Sequence, residues 1–394
     1  MREDDEGPVG TGDASIGIDG RLTRRRLLAA GASAVTLSTA GCTSLLSGSG
    51  SDESLSTFRG SGALVEGRPA PGGISIDDLP ALSGSLRIYL GGGESGLYVD
   101  LLNLLSDVYD GFEFRYTRGA ASDLANTIVE ENRAATPQAD LFLAVDAGSL
   151  GSVAQAGATE PIPQESLDLV GENFRDPQGR WVGFAGRARA VPFNTNRLSA
   201  DDIPTSVREF PRFGPFQDDV GWAPTYGAFQ TFVTAMRAIR GDDATRRWLR
   251  AMEEAGVSEY PDEWRVSNAV ADGSVAGGLA NHYYALRVLN AREDAPIDLA
   301  FTRNDAGSLV NVSGAEILAG TERPDLAGNL VRHLLSAEAQ EFFATRTYAY
   351  PMISGVDPVG DLPTIDELHP PDVNLAELTD VDGTLDLLRE AGVL

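Results

Sequence analysis

Apolar positions along the chain fall into short runs separated by stretches of helical period. Leu86-Arg87-Ile88-Tyr89-Leu90 predicts a strand, and Gly91-Gly92-Gly93-Glu94-Ser95 turns from it into a helix that runs to about Val108. Phe112 to Tyr116 predicts a second strand, and Ala121 to Asn132 a helix with Leu124, Ile128 and Val129 inward. Asp140 to Val145 has the near-continuous apolar run of a strand buried on both faces, and a short helix follows from Gly148. Strands alternating with helices imply βα units and a parallel sheet. Trp181 to Phe193 predicts one long extended stretch, able to cross from one lobe to another. Val220 to Ala223 predicts a strand, and helices follow over Pro224 to Arg240, Asp243 to Ala255 and Arg265 to Asp272. The apolar run Val275 to Ala280 predicts a buried strand, Tyr284 to Leu289 a helix, and Leu299 to Phe301 another strand. Pro324 to Leu335 is helical, Ser336 caps a further helix, and a tail from Val356 ends in the helix Leu385 to Ala391. No internal repeat is present.

The first 84 residues follow a different pattern. Met1 to Gly20 is acidic and Gly-rich without an apolar period, as in disordered segments. Thr23-Arg24-Arg25-Arg26-Leu27-Leu28 matches a twin-arginine export signal, and Leu27 to Ala40 has the length of a signal h-region. Its Gly, Ser and Thr dilute it below the ~20 predominantly apolar residues of a membrane span. Thr39-Ala40-Gly41-Cys42 has the form of a lipobox, which predicts Cys42 as the lipidated first residue of the mature protein. Thr43 to Gly84 is rich in Ser, Gly and Pro and predicts a flexible tether.

Length and charge narrow the picture. A chain of 394 residues is too long for one small core and suggests two lobes. Its 58 acidic residues against 31 arginines, with no lysine, give a net charge of -27. That surface excludes nucleic acid as a partner and suits concentrated salt, as in a halophile. One cysteine excludes an intrachain disulfide framework and a Cys-rich zinc site. There is no G-x-S-x-G elbow and no H-E-x-x-H, and only three histidines, so an exported hydrolase is disfavoured. Gly91 to Gly93 lacks the spacing and the downstream acid of a dinucleotide loop.

The chemistry concentrates at Asn281-His282-Tyr283-Tyr284. The tyrosines fall at the carboxyl end of a strand, where open α/β sheets bind ligands. Ionised phenols are hard oxygen donors suited to hard cations. The competing reading is a pair of half-buried packing residues. Tyr226-Gly227-Ala228 opens a helix whose free N–H groups form a candidate anion site. His282 reads as orienting a neighbour more readily than as a ligand, and Arg187 and Arg189 as either anion-binding or hinge-bracing. His333 and His369 are expected at the surface.

Four segments in order resemble one family: Trp181 to Asn194, Trp222 to Phe229, Asn281 to Tyr284, and Leu334 to Pro351, which ends in Tyr348-Ala349-Tyr350-Pro351. Together they resemble the ferric-iron-binding proteins of ABC importers, the bacterial "transferrin" type of extracellular solute-binding protein. The likeness runs from about Leu86 to Leu394. It implies an α/β fold of the two-lobed periplasmic-binding-protein type II, each lobe a mixed sheet flanked by helices. Residues 85–192 and 299–350 would form lobe 1, and 193–298 and 351–394 lobe 2, after a signal and lipobox over 1–42 and a linker over 43–84. It implies Tyr283 and Tyr284 as metal ligands, and Tyr226, Gly227, Ala228 and Asn281 around a phosphate or carbonate that completes the shell. Tyr226 stands where the family usually has a small polar residue. Glu94 and Asp146 stand one residue from first-lobe ligand positions, and Phe193 replaces a third tyrosine that some members carry. The implied role is a monomeric, lipid-anchored, extracellular receptor delivering Fe3+ to a permease and its ATPase. The alternative is a receptor for a polyamine or a phosphonate.

Overall fold

The computed structural model describes residues 51–92 and 95–394, and these fall in one compact unit. The twin-arginine stretch, Cys42 and Glu94 therefore lie outside the described residues. Strands β1 (Gly84–Gly91), β2 (Phe112–Gly119) and β3 (Leu141–Ala144) run parallel in the order β2-β1-β3. Helices α2 (Ser95–Val108), α3 (Ala121–Arg133) and α4 (Ala147–Gln155) provide the crossovers. The parallel order expected from the βα alternation holds for these three strands. It ends at β11 (Val310–Leu318), which pairs antiparallel with β3, so the sheet is mixed.

One strand holds the molecule together. β5 (Val182–Asn194) pairs along its first half with β11, from Val182 opposite Ala315 to Ala188 opposite Val310. Its second half carries the other end of the sheet. Arg189 and Ala190 pair with β9 (Ala280–Asn281), Val191 to Asn194 with β10 (Ile297–Ala300), and Phe193 with β8 (Gly277–Gly278). β8 continues to β6 (Val220–Trp222) and then to β7 (Ser258–Glu259). Thirteen residues at about 3.3 Å each span roughly 43 Å, enough to serve both halves. All thirteen are buried except Arg187, which is half-buried.

The second half is built on helices with clear apolar faces. α5 (Gly227–Arg240) buries Phe229, Phe232, Val233 and Met236, and α6 (Asp242–Glu254) buries Thr245, Trp248, Leu249 and Met252. Both sets follow the i, i+3, i+4, i+7 spacing of one helical face. Gly241 between them has φ +78°, the left-handed region where glycine carries no steric penalty. α7 (Glu263–Ala271) and α8 (His282–Ala291) complete this half.

Two expectations need correction. The described part of the supposed tether is packed onto the body. α1 (Ser51–Phe58) ends on Phe58, which is fully buried, and Val65, Ile76 and Leu82 are buried after it. Arg68 donates two hydrogen bonds to the buried carboxylate of Glu341, both 3.0 Å long, and Arg59 pairs with the same carboxylate at 2.7 Å. Glu338 accepts from Ser75 Oγ and from Ile76 N–H. Composition suggested freedom; buried carboxylates about 270 residues away in sequence remove it. The tail also differs. Met352 donates its N–H to Gln340, Leu375–Glu377 lies against α4, and only α11 (Val381–Ala391) packs on α5 and α6. Among the described residues no helix is long and apolar enough to cross a membrane.

Candidate metal site

β9 runs directly into α8. Asn281 keeps an extended backbone (φ -72°, ψ 141°), so the helix begins at His282 and both tyrosines occupy its first turn. Tyr283 is 2% exposed and Tyr284 8%. Their rings lie 4.4 Å apart, centroid to centroid. One turn on, the Arg287 guanidinium covers both, 4.7 Å from the Tyr283 ring and 5.6 Å from the Tyr284 ring. A cation over a ring face holds the ring in place.

A third phenol completes the cluster. Tyr226 is the residue before α5, and its hydroxyl lies 2.5 Å from that of Tyr284. The Asn281 Nδ2 donates to the Tyr283 hydroxyl at 3.4 Å. Burial first, and then the neighbouring Tyr226, pushes the Tyr284 hydroxyl well above the ordinary phenol range. The Tyr348 ring packs in the same cluster and is likewise raised by burial. At neutral pH such phenols keep their protons until something displaces them.

The scaffold behind the tyrosines is polar and satisfied. Glu263, fully buried, accepts from the Asn281 N–H at 2.8 Å and forms an ion pair with Arg189, which also donates to Asn281 Oδ1. Arg189 thus braces β5 against α7 and the start of α8. His282 is fully buried. In the neutral ring Nδ1 accepts from the Ala188 N–H at 3.2 Å and Nε2 donates to the Tyr348 carbonyl at 2.7 Å. Burial lowers its pKa to about 4. Both nitrogens are engaged, so the ring positions β5 and Tyr348 and has no lone pair left for a metal. His333 is buried too, contrary to the surface expectation; Asn329 and Tyr109 hold its nitrogens. His369 is exposed, as expected.

The first turn of α5 is open. No side chain caps it, Gly227 is exposed, and a Cβ added there would meet no atom within 4 Å. Its N–H groups and dipole remain available in the turn that follows Tyr226. On the first half of the sheet, the loops after β1 and β3 lie side by side, with Val145 N–H bonded to the Gly91 carbonyl at 3.1 Å. Gly92 has φ +112° and would place a Cβ 2.2 Å from Val145, so only glycine fits. Asp146 caps α4: one carboxylate oxygen accepts from the Ser149 N–H at 2.7 Å and the other from Ser149 Oγ at 3.0 Å. Among the described residues its carboxylate has no hydrogen-bond partner besides Ser149. Phe193 is buried in the core opposite Gly277.

Two features were not visible in the sequence. Glu263 holds Asn281 from 18 residues upstream. Leu64 and Val65 of the N-terminal segment, with Val359 and Leu362 of the tail, pack against the tyrosine cluster.

Known proteins resemble this chain in sequence and fold. Residues 136–374 match the family described as bacterial extracellular solute-binding protein. The major ferric iron-binding protein of Neisseria meningitidis serogroup B is 28% identical over 288 residues, which cover 72% of this chain and 86% of that protein. Iron uptake protein A2 of Synechocystis is 32% identical over 268 residues, covering 64% of this chain and 76% of that protein. The crystal structure of iron-bound HitA from Pseudomonas aeruginosa superposes with a TM-score of 0.69 at 28% identity, covering 78% of this chain and 99% of that one.

Proposed function

The chain belongs to the bacterial extracellular solute-binding proteins, and from that premise we propose that Tyr283, Tyr284 and Tyr226 receive ferric iron for delivery to an ABC importer. The observation that carries this reading is the 2.5 Å approach of the Tyr226 and Tyr284 hydroxyls within a buried tyrosine cluster. A hydrogen bond joins the two phenols in the metal-free protein, and it leaves their oxygens converged as a hard trivalent cation requires. Three phenolates offset the three charges of the ion. Tyr226 therefore enters the account through its side chain, where the sequence pointed only to its backbone. An exogenous phosphate or carbonate is then an added ligand at the open N–H groups of Gly227 and Ala228, oriented with Asn281, and not a requirement for neutrality. Glu94 and Asp146 are left as optional first-lobe ligands; Asp146 would have to leave its cap on Ser149. An organic cation is less well served, because it needs free carboxylates and Asp146 is engaged.

β5 crosses between the two halves of the sheet and is the element about which a two-lobed clamp would open. The address read from the sequence completes the proposal: twin-arginine export, a lipid on Cys42, attachment at the outer face of the membrane, a monomer adapted to high salt, and transfer to a permease with its ATPase. The test is titration of the metal-free protein with ferric ion, read by phenolate-to-ferric charge-transfer absorbance. Tyr226→Phe, Tyr283→Phe and Tyr284→Phe should each shift or weaken the band. If Tyr226→Phe leaves both band and affinity unchanged while the other two abolish them, the third phenol is not a ligand.

A further inference from the structure

On the opposite end of α5 from Tyr226 lies a surface groove of about 850 Å3. The short helical turn Val207–Arg212 forms one side, α6 another, and the last residue of α5 closes it. Arg208, Arg212, Arg240 and Arg247 line it, with Phe213 and Trp248 in its walls. All four arginines are exposed, and none of their guanidiniums makes a hydrogen bond or ion pair with a described residue. Other arginines of the same two helices are paired: Arg237 with Asp242 and Asp380, Arg246 with Asp243 and Glu390. In a chain where acids outnumber arginines 58 to 31, four partnerless guanidiniums facing one hollow stand apart from the rest of that surface.

The acids nearby do not neutralise the groove. Glu209 is the one acid among its lining residues. Asp305 lies close enough to be felt by Arg240, but its carboxylate is committed to Thr302, Gly307, Ser206 and Val207. Arg240 is held below its usual proton affinity by burial first and then by Arg208, with Arg247 adding to the effect, so the charges reach one another. The walls are fixed in place: Trp248 Nε1–H donates to the Val207 carbonyl at 2.6 Å, and Asp305 ties down the turn at Ser206 and Val207. Like charges held on a rigid frame repel, and a multivalent counter-ion relieves that cost.

We propose that this groove binds a small polyanion carrying at least two neighbouring phosphate or carboxylate groups. Guanidinium forks engage such groups in bidentate pairs, and several at once distinguish a polyanion from a single phosphate. The volume suits a small ligand, and a hollow with aromatic walls does not present a flat face to a membrane. The site is separate from the tyrosines: the fourteen residues of α5 place it about 21 Å away. The proposal holds whether or not those tyrosines take iron.

The test is calorimetric titration of the metal-free full chain with inorganic tripolyphosphate, in parallel with citrate and orthophosphate, with tryptophan fluorescence as a second signal. One tripolyphosphate per chain is expected, with orthophosphate at least tenfold weaker; the citrate arm tells whether carboxylates serve as well as phosphates. Arg208→Ser with Arg247→Ser should weaken binding at least tenfold, and Arg240→Gln alone should weaken it several-fold. Arg115→Ser, at an exposed arginine on β2, should leave tripolyphosphate binding unchanged, and circular dichroism should show every variant folded. No binding, equal binding by the groove variants, equal binding of orthophosphate, or capture of anionic vesicles without tripolyphosphate binding would each overturn the proposal.

Discussion

Acidification should destabilise the protein through His333 by an amount that can be separated from every other titration. The imidazole is fully buried between Asn329 and Tyr109, and burial lowers its pKa from 6.5 to about 4. The sign follows from which state binds the proton first. In the unfolded chain the ring protonates near pH 6.5, whereas in the folded chain it resists until about pH 4. Between those values the unfolded state holds more protons, so stability is full above pH 6.5 and falls as pH drops towards 4. A 2.5-unit difference at 1.36 kcal/mol per unit corresponds to roughly 3 kcal/mol in all, and to about 2 kcal/mol by pH 5. The assay is denaturant unfolding of the parent and of His333→Gln at pH 7.5 and pH 5. The variant loses packing at both pH values but has nothing to titrate. The gap between parent and variant should therefore shrink by about 2 kcal/mol, or reverse, at pH 5. A gap that is the same at both pH values would refute the buried neutral imidazole.

Glu341→Ala should cost about 3 kcal/mol, because it strands Arg59 and Arg68 beside a buried vacancy in charge. Trypsin should then cut after Arg59 and Arg68 faster than in the parent; unchanged cleavage would mean the N-terminal segment is held by its apolar contacts alone. Raising salt from 0.1 to 1 M shortens the Debye length from about 10 Å to about 3 Å, so the net charge of -27 predicts a higher thermal midpoint, and a flat response would contradict a salt-adapted surface. Cys42→Ser should move the protein from the membrane fraction to the soluble fraction, and retention at the membrane would place the anchor elsewhere.

Local pattern revealed those elements whose apolar positions recur at a regular period. α5 and α6 were readable because Phe229, Phe232, Val233 and Met236, and their counterparts in α6, lie on one face. β5 was readable because its run is long and nearly all buried. β11 was not, although it sits at the centre of the sheet. Asn311, Ser313, Gly314 and Glu316 interrupt its apolar run, and the first three are explained only by neighbours distant in sequence, Ala147, Tyr98 and Leu150. A Cβ at Gly314, for example, would lie 2.6 Å from Leu150. The N-terminal segment was hidden for the same reason, since Glu338 and Glu341 pin it from the other end of the chain. At the site, the adjacent pair Tyr283-Tyr284 stood out in the sequence. The part played by the Tyr226 side chain did not, because its partner lies 58 residues further on.

Three phenols should surrender their protons to one ferric ion. Ferric binding to the metal-free protein in weakly buffered solution, with absorbance and released acid recorded together, measures this directly. An unperturbed phenol has a pKa near 10, and burial raises that of Tyr284 further, so each ligating tyrosine must release a proton on binding. A visible charge-transfer band should saturate at one ion per chain, with about three protons released by the ligating phenols and about two in Tyr226→Phe. A band accompanied by two protons in both proteins would remove Tyr226 from the site. Saturation with no band and no acid released would contradict the tyrosine site altogether.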